Sequence, residues 1–148
     1  MTFSSDAEIE HIAEGVLALT LPKVEWTHAA HFAAAVWLLA KPEINAFTQM
    51  PDFIKAYNEA TGVANTDTDG YHETITQASL LAARHMIKSA KPDCPLFETV
   101  NTIMTSAYGR PDWLLTYWSK EALFSVKARR GWVAPDLKSL PFSRDIET

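Results

Sequence analysis

Cysteine is nearly absent from this chain, and Cys94 is the only one. A lone cysteine excludes an intrachain disulfide and any zinc site built on several thiolates. A metal centre would have to draw on the five histidines and the carboxylates. Positive charge is also scarce. Lys and Arg number 13 against 18 Asp and Glu, a net charge of −5. That balance argues against nucleic acid as a partner, which calls for a basic face, and against docking on anionic lipid. Long apolar runs are missing too. The longest stretch of the first half without Asp, Glu, Lys or Arg is Trp26 to Ala40. It holds two histidines and falls short of the ~20 residues that span a bilayer. The first fifteen residues carry Asp6, Glu8, Glu10 and Glu14 and no Lys or Arg, the reverse of a secretory leader. A cytoplasmic location is the expectation, and a single cysteine between prolines agrees with it. No nucleophile elbow, phosphate loop, dinucleotide fingerprint or His-Glu-x-x-His occurs. Hardly any segment alternates with period two, so little or no sheet is expected.

What is present points to one helical domain over residues 1–148. Apolar residues make up 47% and charged residues 21%, the balance of a globular protein with a real core. Ser5-Asp6 suits the start of a first helix with Ile9, Ile12, Ala13, Val16 and Leu17 at helical spacing. Thr27 suits the start of a second, over roughly residues 28–41 and stopped before Pro42. A third has Pro51 in its first turn and Gly62 at its end. A polar loop, Val63 to Gly70, leads to a fourth, roughly Tyr71 to Ala90. Shorter helices are expected over 96–108, 111–118 and 120–130, and Ala134 to Phe142 should run extended. The fold class read from this is all-α, an up-down four-helix bundle with short C-terminal helices and an extended tail. In such a bundle the second and fourth helices start at the same end.

Helical phasing at ~100° per residue sorts the histidines. His28 centres on a stripe with Phe32, Ala35 and Leu39, while His31 flanks it beside Leu38. Trp37 and Lys41 mark the opposite face. Phased from Tyr71, the residues Ile75, Ala78, Ala82 and Met86 form the buried side of the fourth helix. His72 sits on its rim, and Glu73, Gln77, Arg84 and Lys88 fall on the polar face. His85 lies on the buried side but ~20 Å along the helix from His72. His11 faces away from its apolar neighbours and should be exposed.

His28, His31 and His72 thus form a candidate metal site at one bundle end. Helix N-termini disfavour imidazolium, and neutral imidazole is the metal-binding form. Three such ligands with an open position suit zinc, iron, manganese or nickel holding a water. His72, Glu73 and Glu25 are the candidate catalytic groups, and Trp26, Tyr71 and Asn65 the candidate substrate-binding groups. The alternative is a metal-free protein that binds an anionic small molecule, since free N–H groups at helix starts hold anions. A third reading is an interaction module, a homodimer through Trp113, Tyr117, Trp118 and Phe124. Three signals are weaker. Glu25-x-x-His28 has the spacing of di-iron bundles but occurs only once. Asn65 to Gly70 looks like half of a calcium loop, but Thr76 stands where the chelating glutamate belongs. Lys127, Arg129 and Arg130 read as a solvated helix end.

At Trp26-Thr27-His28-x-x-His31, at Gly70-Tyr71-His72-Glu73-Thr74-Ile75-Thr76 and at Ala134-Pro135-Asp136-Leu137-Lys138, the chain resembles a group of small bacterial helical proteins with no assigned activity. The resemblance spans nearly the whole chain. It implies a single helical domain, singles out His28, His31 and His72, adds weight to Glu73, and brings no reaction with it.

Overall fold

In a computed structural model, which describes residues 2–144, the chain is all-helical. The helices are α1 (Asp6–Leu17), α2 (His28–Leu39), α3 (Ala46–Ala60), α4 (Glu73–Ser89), α5 (Leu96–Thr105), α6 (Lys120–Leu123) and α7 (Val126–Arg130). Single 3-10 turns occupy Lys23–Glu25, Ala107–Gly109 and Trp113–Thr116, and no strand occurs among the described residues. No described helix is long and apolar enough to cross a membrane. Four starts are closed as short hydroxyl side chains close them, each by an oxygen accepting an otherwise free N–H. Ser5 caps α1, Thr27 caps α2 (Ala30 N–H, 3.1 Å), Ser119 caps α6 and Ser125 caps α7.

The centre of the molecule is α2. Its sequence is apolar nearly all round, so it has no face to give to water. Ala30 and every residue from Phe32 to Leu38 are buried. That corrects the expected exposure of Trp37, which retains 8% of its surface. A single stripe has no meaning on a helix enclosed on all sides. The alanines at 30 and 33–35 let neighbours approach closely, and α1, α3, α4 and α5 all pack against α2. The 3-10 turn Trp113–Thr116, the segment after it and α6 then close the core with Trp113, Leu114, Trp118 and Leu123.

Two expectations about α3 and α4 are also corrected. α3 begins five residues before Pro51, so the proline is interior rather than in the first turn. A proline there has no N–H for the carbonyl four residues back, that of Phe47. Gln77 of α4 supplies the missing donor, with Nε2 2.9 Å from Phe47 O, in the buried interior. Gln77 is therefore buried, not on a polar face. The expected face is offset because Tyr71, on which the phasing is centred, precedes α4. His72 has extended backbone (φ −133°, ψ 110°) and the helical register starts only at Glu73. The buried residues of α4 are Thr74, Gln77, Ala78, Leu80, Leu81, Ala82 and Ala83; Ala78 and Ala82 lie there as the phasing expects, while Ile75 and Met86 are half-buried and His85 is exposed.

After α7 the chain returns across α4 without forming a helix. Thr74 Oγ1 donates to Gly131 O (2.8 Å) and accepts from Val133 N–H (3.1 Å). The Trp118 indole donates to Val133 O (2.8 Å), and Asp136 accepts from Ser119 N–H and Oγ–H. Trp113 and Trp118 are buried and Tyr117 half-buried, so most of the aromatic C-terminal region packs inward.

The pairing of Pro51 with Gln77 makes a specific stability prediction. Gln77→Leu leaves the buried Phe47 carbonyl without a donor and should cost about 1–3 kcal/mol in urea denaturation. In a Pro51→Ala background the helix can supply its own N–H, and the same substitution should cost measurably less. Equal costs in the two backgrounds would refute the compensation.

Candidate functional site

The residues singled out by sequence fall into separate groups. Trp26, His28 and His31 stand together at the start of α2. The His31 ring lies on the Trp26 ring, with centroids 3.8 Å apart and planes at 30°, and Trp26 meets Tyr57 edge-on at 5.5 Å. His31 Nδ1 is 2.8 Å from Thr27 O. A carbonyl only accepts, so Nδ1 carries the proton and Nε2 the lone pair. His28 Nε2 is 2.8 Å from Tyr108 O, in the 3-10 turn Ala107–Gly109 that follows α5. By the same reasoning Nε2 carries its proton and Nδ1 is left as the acceptor. Burial pushes the His31 pKa down to about 4; its bond to Thr27 O opposes the shift and His28 adds to it. His31 is a neutral imidazole at neutral pH.

His72 is not with them. It is the N-cap of α4, an unusual role for an imidazole. Its Nδ1 accepts from Ile75 N–H (3.2 Å), and its Nε2 donates to Leu123 O of α6 (2.6 Å). Both ring nitrogens are occupied, one as acceptor and one as donor, so no lone pair is left for a metal. A second proton would have to sit on Nδ1, against the Ile75 N–H. Burial pushes the His72 pKa below the ordinary histidine range, and nearby Arg129 pushes the same way. Neither His28 nor His31 makes a hydrogen bond or ring contact with His72. No group of three His, Cys, Asp or Glu side chains is placed to hold a metal ion among the described residues.

Glu25 points elsewhere again. Its Oε1 is 3.2 Å from His11 Nε2, both side chains being largely exposed. Together they edge a cavity of about 430 Å³ against the N-terminal segment, with Phe3 and Ile12. His11 is exposed, as its phasing indicates, but it is paired.

Asn65, Tyr71 and Glu73 do converge. They line a cavity of about 250 Å³ with Lys55 of α3, Asp67 of the loop, and Arg129 and Arg130 of α7. Each element is held there for a local reason. Asn65 Oδ1 accepts from Tyr71 N–H and from Asn58 Nδ2 (both 3.0 Å), closing the loop from residue 65 to 71. Gly70 completes it with φ +78°; a Cβ there would lie 2.5 Å from Ala64 O and 2.6 Å from Asn65 Oδ1. Arg129 Nη1 donates to Gly70 O (3.0 Å) and Tyr71 O (3.2 Å), fastening α7 over the start of α4. Arg130 forms a two-point pair with Asp67, Nε to Oδ1 at 2.7 Å and Nη2 to Oδ2 at 2.9 Å. The Tyr71 hydroxyl donates to Glu73. Burial and the Glu73 carboxylate both raise the Tyr71 pKa, so the phenol keeps its proton. Lys55 Nζ stands 5.0 Å from the Tyr71 ring centroid.

Phasing from Tyr71 ranked His72 above Glu73; at this cavity the order is reversed, with Glu73 lining the wall and His72 turned toward α6. The contribution of Lys55, Arg129 and Arg130 was missed. The basic cluster at 127–130 in an acidic chain was the available signal, but its contacts lie some sixty residues away. No family model, no curated protein and no solved structure matches the chain.

Two predictions follow from the histidine geometry. His72→Ala removes a cap and should lower stability by about 1–2 kcal/mol, while His72→Asn, whose side chain can also cap, should lower it less; urea midpoints of the two variants decide this. The second concerns pH. The unfolded chain protonates histidine near pH ~6.5, while native His31 resists until about 4. Above the upper value both states are neutral and His31 has no effect. As pH falls through the window the unfolded state gains the proton first, so stability falls, and this contribution levels off below the native pKa. His31→Gln should therefore flatten the stability–pH curve across that window. An unchanged slope would show that His31 is not the group responsible.

Proposed function

We propose that the protein binds a compact, hydrophilic anion, a phosphate monoester or a small dicarboxylate, in the cavity between Lys55, Tyr71, Glu73 and Arg129. The observation that carries this reading is unneutralised positive charge within an acidic chain. Arg130 is matched by Asp67, but Arg129 bonds only backbone carbonyls through Nη1, and Lys55 rests only on an aromatic face. Arg129 keeps Nε and Nη2 as donors in the fixed planar geometry that suits a carboxylate or phosphate. Lys55 adds a mobile point charge from the opposite wall. The small volume and polar walls favour a compact ligand over a greasy one.

The residues divide the work. Arg129 orients the anion, Lys55 neutralises it, and the Tyr71–Glu73 pair accepts hydrogen bonds from hydroxyls on the rest of the ligand. Asn65 and Gly70 set the loop, and His72 sets the start of α4 from behind. The alternative with a divalent metal has His28 Nδ1 and His31 Nε2 to draw on, without His72. Metal analysis of chelator-free protein separates the two: stoichiometric metal lost in His31→Ala would favour the metal centre.

Backbone amide shifts during titration with inorganic phosphate and with succinate test the proposal. Saturable shifts are expected at Tyr71, Glu73 and Arg129. Lys55→Met, at an exposed position, should weaken binding several-fold, about what one partly solvated ion contact contributes, without changing the melting temperature. No saturation at these positions, or unchanged binding in Lys55→Met, would overturn it.

A further inference from the structure

A cavity of about 610 Å³ lies where α2 ends, α3 begins and α4 ends. It shares no residue with the site above. Its floor is apolar, with Ile44, Phe47 and Ile87, and its rim is cationic, with Lys41, Arg84 and Lys88 against the single carboxylate of Glu43. None of the three cations has a carboxylate within ion-pair distance among the described residues. Lys41 Nζ stands 4.6 Å from the Trp37 ring centroid, and the Arg84 guanidinium 5.2 Å from that of Phe47, with Nη2 bonded to Ser143 O (3.1 Å). Two of the three charged heads thus lie on aromatic faces, that of Lys41 on Trp37 just outside the lining and that of Arg84 on Phe47 within it, and neither contact neutralises the charge.

We propose that this cavity binds an amphiphilic monoanion, a carboxylate on a short alkyl or aryl body. Two features select that class together. The volume and apolar floor are those of a small-molecule pocket that excludes water from an apolar body. The rim concentrates positive charge in a chain whose net charge is −5, so the complement is a negative head at the mouth. Three cations around one opening match a single anionic head, and the acidic remainder of the chain disfavours an extended polyanion. Lys41 and Lys88 also complement the C-terminal ends of α2 and α4; that role needs no ligand, and binding is what distinguishes the two.

The test is an amide-shift titration of the ¹⁵N-labelled chain with four probes: octanoate, octan-1-ol, acetate and octylammonium. Octanoate should give saturable shifts centred on Ile44, Phe47 and Ile87. The alcohol, which lacks the charge, and acetate, which lacks the body, should each bind at least about tenfold more weakly, and octylammonium should not compete. Lys88→Glu and Lys41→Glu should each weaken octanoate several-fold. Equal binding of octanoate and octanol would reduce the site to an apolar dent. Equal binding of octanoate and octylammonium, shifts centred elsewhere, or no saturation would overturn the proposal on the wild-type chain alone, however the variants fold. Phosphate binding beside Tyr71 is read at different resonances, so the two proposals stand or fall separately.

Discussion

A helix with no polar face has to be enclosed, and the structure is organised around that requirement. α2 runs from His28 to Leu39 with polar side chains only at its start. Each large apolar side chain on it, such as Phe32, Val36 or Leu38, gains about 1.5–3 kcal/mol by leaving water. Enclosure takes several neighbours, and α1, α3, α4 and α5 supply them. Chemistry is thereby displaced to the ends and edges of the packing. His28 and His31 sit where α2 emerges, and the cavities open where helices begin and stop.

Those cavities differ in electrostatic character although they share one small domain. Beside α1 the opening carries Glu8, Glu25 and His11. At the start of α4 two arginines and a lysine meet Asp67 and Glu73. Where α2 and α4 end, three cations ring an apolar floor. The acidic balance of the whole chain hides this segregation. Positive charge is sparse but clustered by the fold, and clustered charge beside low-dielectric walls attracts ligands in a way that a net value does not describe.

The histidines show how polar groups are divided between structure and function. His72 looked like a ligand because it stands at a helix start expected at the same end of the bundle as His28 and His31. A helix start is also where an acceptor is needed, and an imidazole with one lone pair and one proton can cap the helix and bond α6 at once. The same economy appears at Pro51. The proline breaks a backbone bond inside α3, and Gln77 restores it from α4. Both side chains would read as site residues or surface residues in isolation, and both hold the frame in place.

The sequence alone determined what depends on neighbours a few residues apart. Caps at Ser5 and Thr27, the stop before Pro42, the turn at Asn65 to Gly70 and the all-helical class all follow from local spacing and backbone preference. It also named Asn65, Tyr71 and Glu73 as site residues, but around the three histidines rather than as a cavity of their own. Tertiary structure decided the rest. The partners of His72, Arg129 and Gln77 are 51, 59 and 30 residues away. Helical phasing places a side chain on a face, but which face is enclosed depends on what packs there. An imidazole's lone pair is assigned by its hydrogen-bond partners, and those partners come from the folded chain.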